Sequence, residues 1–271
     1  MVTTLANAGA PIGVFDSGIG GLTVAQAIMR QLPGENLVYF GDTARVPYGP
    51  KSPDTVRRYS HEIAAFLLEQ GVKAMVVACN TATAHALPML EAELPVPVIG
   101  VVSPGARAAV KATKSGHIGV IGTEGTIKSG AYVKAIHFES PKAVVTVRAC
   151  PLFVPLVEEG WNDSEATRII AAEYLAPFAH DVVDTLVLGC THYPLLKRVI
   201  GETIGRSVRL IDSAEETAAD TRRMLEEHGL LNRGGNATYR FIASDDPAQF
   251  LQLGQRFFGD ALERVEIRTF G

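Results

Sequence analysis

Lys73-Ala74-Met75-Val76-Val77-Ala78-Cys79-Asn80-Thr81 is an apolar, β-prone run that ends in a cysteine and opens a short polar turn, with a helical pattern beyond it. The same setting returns in the second half of the chain, in Asp184-Thr185-Leu186-Val187-Leu188-Gly189-Cys190-Thr191-His192. Short apolar runs alternating with amphipathic stretches are the signature of βα units and a mostly parallel sheet. Further runs of this kind are Ile12 to Phe15, Leu37 to Phe40, Val98 to Val102, Ile118 to Ile121, Val208 to Ile211 and Tyr239 to Ala243.

Comparison of the strand ends exposes an internal repeat. Ile12-Gly13-Val14-Phe15-Asp16-Ser17 corresponds to Ile118-Gly119-Val120-Ile121-Gly122-Thr123, Cys79 to Cys190, and Val102-Ser103 to Asp212-Ser213, with nearly the same spacing in each pair. Any two βα units share a strand, a glycine and a polar cap, but three pairs in order point to two related halves. The expected fold class is α/β: two pseudo-symmetric open domains with mostly parallel sheets and the active site in the cleft between them. Residues 1–103 with 215–271 form the expected first domain, and 104–214 the second. The turn signal Ser103-Pro104-Gly105 marks the first boundary. The carboxy-terminal stretch, read as a helix, a polar loop at Asn232 to Asn236, one strand and a final helix, completes the first domain.

At 271 residues and 47% hydrophobic content the chain can build two modest cores. Its 25 basic and 29 acidic residues are mixed along the sequence, without the basic stripe of a nucleic-acid reader, so no nucleic-acid partner is expected. Residues 1–10 carry no cationic or apolar targeting segment, and no run reaches the roughly 18 apolar residues of a membrane span. A cytoplasmic protein without membrane association is expected. Three cysteines cannot all pair internally, and none sits in a C-x-x-C zinc pattern, so free thiols and no metal are expected.

In open parallel sheets ligands bind beyond the carboxyl ends of the strands, where both cysteines lie. There a helix N-terminus favours the thiolate, the form able to take a proton. Each thiol alone reads equally as a small buried hydrophobe, and Cys150, with no repeat partner, is read that way. The pair reads differently because polar residues follow each member: Asn80 and Thr81 after one, Thr191 and His192 after the other. Such groups can cradle carboxylates or an amino group. The helpers break the symmetry, since Asp16 faces Gly122 in the repeat and His192 faces Thr81. Either could exchange a proton with a thiol, Asp16 serving equally as a helix cap and His192 as a cap or support.

Asp16-Ser17-Gly18-Ile19-Gly20-Gly21 fails the dinucleotide pattern, because Thr23 stands at its last position and the aspartate would repel a pyrophosphate. It reads as a loop that lets backbone approach a small ligand. Gly41 to Pro50, with Asp42 and Tyr48, follows a strand and reads as a rigid turn able to carry binding groups.

Together the segments Gly13 to Gly21, Tyr39-Phe40-Gly41-Asp42 with Pro47-Tyr48-Gly49, Ala78-Cys79-Asn80-Thr81-Ala82, Val154-Pro155-Leu156-Val157-Glu158 and Leu188-Gly189-Cys190-Thr191-His192-Tyr193-Pro194 resemble the glutamate racemases of the cofactor-independent aspartate/glutamate racemase superfamily. The resemblance covers nearly the whole chain. It implies interconversion of L- and D-glutamate without a cofactor, supplying D-glutamate for peptidoglycan. It implies that Cys79 takes the α-proton of D-glutamate and Cys190 that of L-glutamate, assisted by Asp16 and His192. By motif match, Asp16, Ser17, Tyr48, Gly49, Asn80, Thr81, Thr191 and His192 would touch substrate, with Asp42 and Glu158 nearby in support. A homodimer is one assembly left open. Without the resemblance, a racemase for another acidic amino acid such as aspartate stays open, since one methylene is worth only about 1–3 kcal/mol in a pocket. A binder without turnover is the other alternative, and it has no need of two opposed thiols.

Overall fold

The computed structural model describes residues 7–179, 183–258 and 262–270. Most of residues 1–10 and the outer limit at 271 therefore lie outside the described residues. Apolar runs become strands where expected: β1 (Ile12–Asp16), β2 (Leu37–Gly41), β3 (Ala74–Val77), β4 (Val98–Gly100), β5 (His117–Gly122), β7 (Thr185–Gly189), β8 (Arg209–Ile211) and β9 (Tyr239–Ala243). Two more, β6 (Val144–Ala149) and β10 (Glu266–Ile267), add to them. β1, β2, β3 and β7 are buried along their whole length, as sheet strands covered on both faces must be.

These strands pair in parallel, in two sheets ordered β10-β9-β2-β1-β3-β4 and β6-β5-β7-β8. The repeat is written in that order: β2-β1-β3-β4 in one sheet has the same topology as β6-β5-β7-β8 in the other. The register agrees too, since Ile12 pairs with Ala74 while its repeat counterpart Ile118 pairs with Thr185, the counterpart of Ala74.

Helices cover both faces. On the first sheet α1 (Leu22–Gln31), α10 (Ala214–Glu227) and α11 (Pro247–Phe258) enclose one core, and α2 (Pro53–Glu69) with α3 (Asn80–Glu93) the other. On the second, α7 (Phe153–Glu158), α8 (Glu165–Ala179) and α9 (Lys197–Ile204) cover one face, and α4 (Val102–Ala112) with α6 (Ala131–Glu139) the other. The short α5 (Glu124–Ser129) meets α3 across the divide between the halves.

Three local expectations are corrected. β4 stops at Gly100, and Ser103-Pro104-Gly105 is no turn but the first turn of α4, where proline needs no N–H partner. β6, absent from the expected strands, does carry a signal in the sequence, the β-branched run Val144-Val145-Thr146-Val147, and lies partly exposed at a sheet edge. The carboxy-terminal stretch ends not on a helix but on β10, whose two residues carry no periodic signal.

A buried ion pair fastens the amino-terminal edge of the first sheet. Lys73, just before β3, and Glu35, just before β2, are 0% and 1% exposed, and Lys73 Nζ also donates to the Ala8 carbonyl. Glu35 Oε1 accepts from the Asn232 backbone N–H at 2.7 Å. Removing one charge strands the other in the interior. Lys73→Met should lower the unfolding free energy by about 3–5 kcal/mol in urea titration, with Lys73→Met/Glu35→Leu recovering part of the loss; a single variant as stable as the parent contradicts this.

Candidate active site

Each thiol emerges where its sheet reverses strand order, the place at which helices leave to opposite faces and open a crevice. β1 and β3 end together, Ala78 N–H donating to the Phe15 carbonyl at 2.9 Å, and Cys79 then caps α3 with extended backbone. Its Sγ accepts from the Ala82 N–H at 3.5 Å and lies 3.7 Å from Ser17 Oγ. Cys190 follows β7 in the equivalent place but meets a 3-10 turn, Tyr193–Leu196, before α9 begins. The helix N-terminus expected beside each thiol is therefore present only at Cys79. At Cys190 the neighbour is His192, with Nδ1 3.9 Å from the sulfur.

The two carboxyl edges close on one cavity that admits little more than a water molecule, about 10 Å³. The first half lines it with Ser17, Tyr48, Gly49, Cys79, Asn80 and Thr81; the second half supplies Cys190, Thr191 and His192. Pro47, Thr123 and Val154 complete the wall and were not foreseen, although Thr123 is the repeat counterpart of Ser17 and could have been found that way.

The halves meet through hydrogen bonds around this cavity. Gly125 N–H donates to the Gly49 carbonyl at 2.9 Å, Thr81 and Thr123 share a 2.9 Å hydroxyl contact, and Thr191 Oγ1 donates to Asp16 Oδ1 at 3.2 Å. Backbone must approach closely here: a Cβ on Gly20 would lie 2.4 Å from Thr191 Oγ1 and 2.7 Å from His192 Nδ1. Asp16 does not cap α1, which has no side-chain cap; its Oδ2 accepts from Gly18 N–H, and its Oδ1 reaches across to the residue after the opposite thiol.

Asp42 and Glu158 stand behind the wall. Asp42 accepts from the Tyr48 hydroxyl, from Arg45 Nε at 2.7 Å and from Ser244 Oγ at 2.8 Å, which fixes the tyrosine. Glu158 Oε1 lies 3.2 Å from His192 Nε2, an ion-pair distance without the alignment of a hydrogen bond. Cys150 is fully buried, as a packing residue would be. Among the described residues no three His, Cys, Asp or Glu side chains converge as a metal cage requires.

Electrostatics reverse one expectation. Burial, reinforced by the Asp16 charge, pushes the Cys79 thiol up to about 12, because the Ala82 N–H and Ser17 return less than dehydration removes. Asp16 is itself raised by burial, against His192, the Gly21 and Gly18 amides and Thr191. Burial alone would lower His192, but Cys190 and Glu158 overcome it and hold the imidazolium up to about 10. The arrangement is thus a neutral thiol on one side and a thiol beside a cation on the other.

The model of the Asp/Glu/hydantoin racemase family matches residues 12–221. A glutamate racemase of Geobacter metallireducens is 57% identical over 255 residues, covering 94% of each chain. Among solved structures, glutamate racemase isoform RacE1 of Bacillus anthracis superposes with a TM-score of 0.91 at 43% identity over 97% of both chains. The Francisella tularensis glutamate racemase in complex with D-glutamate does so with a TM-score of 0.90 at 39% identity, over 97% of this chain and 98% of that one.

The raised histidine has a signed consequence. Folded His192 holds its proton to about 10 while an unfolded histidine releases it near 6.5, so this contribution is complete below 6.5 and lost as pH rises through about 10. Cys79 acts in the same direction between 9.0 and about 12. Melting temperature should therefore fall between pH 7 and 10, and His192→Gln should flatten that slope; parallel curves for the two proteins would contradict it.

Proposed function

This chain belongs to the Asp/Glu/hydantoin racemase family, and from that premise we propose that it interconverts L- and D-glutamate by proton transfer at the α-carbon between Cys79 and Cys190. The observation that carries the reading is the placement of two thiols on one small cavity from corresponding strand ends of opposed sheets. A proton can then leave one face of a carbon while another arrives on the opposite face.

With L-glutamate bound, the Cys190 thiolate beside the His192 imidazolium takes the α-proton, forming S–H as C–H breaks. The Cys79 thiol gives its proton to the other face and becomes the thiolate. Reaction of D-glutamate is the reverse. An α-hydrogen beside a carboxylate is a very weak acid, so carbanion character must be stabilised by donors already in place. Ser17, Asn80, Thr81 and Thr191 line the cavity and supply such donors for the carboxylates, and Asp16, fully buried and bonded to Thr191 rather than lining the cavity, is a nearby carboxylate that suits the ammonium group. An arriving ammonium also brings positive charge towards Cys79 and eases its ionisation. The cavity is too small for glutamate as it stands, so the site opens for entry and closes again, excluding water from the reacting atoms.

The choice of glutamate over aspartate rests on the glutamate racemases to which the chain is similar across its length. Production of D-glutamate for peptidoglycan in the cytoplasm follows from the same reading, and among the described residues no helix is long and apolar enough to cross a membrane.

In deuterated water each glutamate enantiomer should invert and acquire deuterium at the α-carbon; two unchanged substrates would sink the activity. Cys79→Ser and Cys190→Ser should each lower kcat/KM by about 10²–10⁴-fold, the range for removing a positioned acid or base. Near-normal turnover in either refutes two-thiol chemistry. Because enantiomers have equal free energy, kcat/KM must be equal in both directions at every pH. The unequal tuning of the thiols should instead appear as different kcat and KM values for the two enantiomers, and identical pairs of constants would count against it.

A further inference from the structure

A single phenol joins the turn that follows one thiol to the strand end that precedes the other. Tyr132 lies on α6, 2% exposed, and its hydroxyl donates to Asn80 Oδ1 of the other half at 2.7 Å. Its ring lies against Gly189, the residue before Cys190, where a Cβ would come within 3.0 Å of Tyr132 Cε2. Asn80 is the residue after Cys79 and lines the cavity. We propose that Tyr132 is a positioning residue for racemisation: it ties the two thiol turns together and sets the Asn80 amide so that its NH₂ group faces the substrate.

This role rests on the reading of the cavity as a glutamate site, and the chemistry follows from the inventory of the amide. Asn80 offers one carbonyl acceptor and one NH₂ donor. A substrate carboxylate needs the donor and is repelled by the carbonyl. With Oδ1 occupied by the phenol, the NH₂ group is the part left for the cavity. The flipped amide would turn its carbonyl towards the carboxylate and leave a buried hydroxyl proton without an acceptor, a doubly unfavourable state. Burial, with Cys190 and Asp212 adding to it, holds the phenol above its ordinary ionisation range, so it remains a donor wherever the enzyme works. Donor and acceptor come from opposite halves. The correct amide orientation is therefore assembled only when the cleft is closed, which couples recognition of the substrate to closure.

Tyr132→Phe keeps the ring against Gly189 and removes only the hydroxyl. The expected result is a KM for both enantiomers about tenfold higher, equivalent to about 1.4 kcal/mol, with kcat changed less than threefold. The increase in melting temperature on adding D-glutamate should shrink correspondingly, a readout that needs no turnover. In a double-mutant cycle, Tyr132→Phe should add nothing to the KM defect of Asn80→Ala, because the hydroxyl acts through that amide. A wild-type KM in Tyr132→Phe, or KM effects that multiply in the double variant, overturns the proposal while leaving two-thiol catalysis intact. Wild-type protein that neither inverts glutamate nor is stabilised by it overturns the glutamate reading and this role with it.

Discussion

The proposed chemistry needs two sulfurs on opposite sides of one carbon, and the arrangement of the two sheets suits that demand. A single parallel sheet presents its strand ends along one edge, so it cannot supply groups to both faces of a substrate. Two sheets of the same topology whose strand ends line one cavity can. Several contacts between the halves, Gly125 with Gly49, Thr81 with Thr123 and Thr191 with Asp16, lie around the cavity, while Arg107 also pairs with Asp220 between α4 and α10. Closeness there depends on glycine, since a methyl group on Gly20 would collide with the turn that carries Thr191 and His192.

The burial that surrounds Cys79 makes its ionisation costly. Cys79, buried beside the Asp16 carboxylate, is held as a thiol despite its place at a helix N-terminus. Cys190 lacks that helix but sits beside an imidazolium supported by Glu158. Equivalent strands therefore deliver chemically unequal thiols. In a racemase the inequality cannot favour one enantiomer at equilibrium; it can only divide the barrier differently between binding and turnover. A two-sided transfer requires one acid and one base across the substrate, because two thiolates or two thiols would leave one face without a partner.

Much of this was legible in the linear chain. The alternation of short apolar runs with amphipathic stretches located β1, β2, β3, β5 and β7, and the repeat that relates Ile12 to Ile118 and Cys79 to Cys190 reappears as sheet register. The residues after each cysteine line the cavity, as their position beyond a strand end suggested. What escaped has physical reasons. β10 is too short to show a period, and Ser103-Pro104-Gly105 obeys turn statistics while sitting in the first turn of a helix; β6, by contrast, is legible in its β-branched run Val144-Val145-Thr146-Val147. Tyr132 carries no local signal, since its importance lies wholly in what it faces, and Val154, though part of the segment from Val154 to Glu158, shows its place on the cavity only in the fold.

By itself the sequence determined the αβ alternation, the duplication, and the identity of the groups placed at strand ends, because these depend on periodicity and on residues adjacent along the chain. Only the tertiary structure decided how those groups act on one another. That Asp16 reaches the opposite half, that a 3-10 turn replaces a helix after Cys190, and that dehydration outweighs the helix terminus at Cys79 all depend on distance and burial. Electrostatic strength in a protein is set by how completely water is excluded, and that is a property of the packed whole.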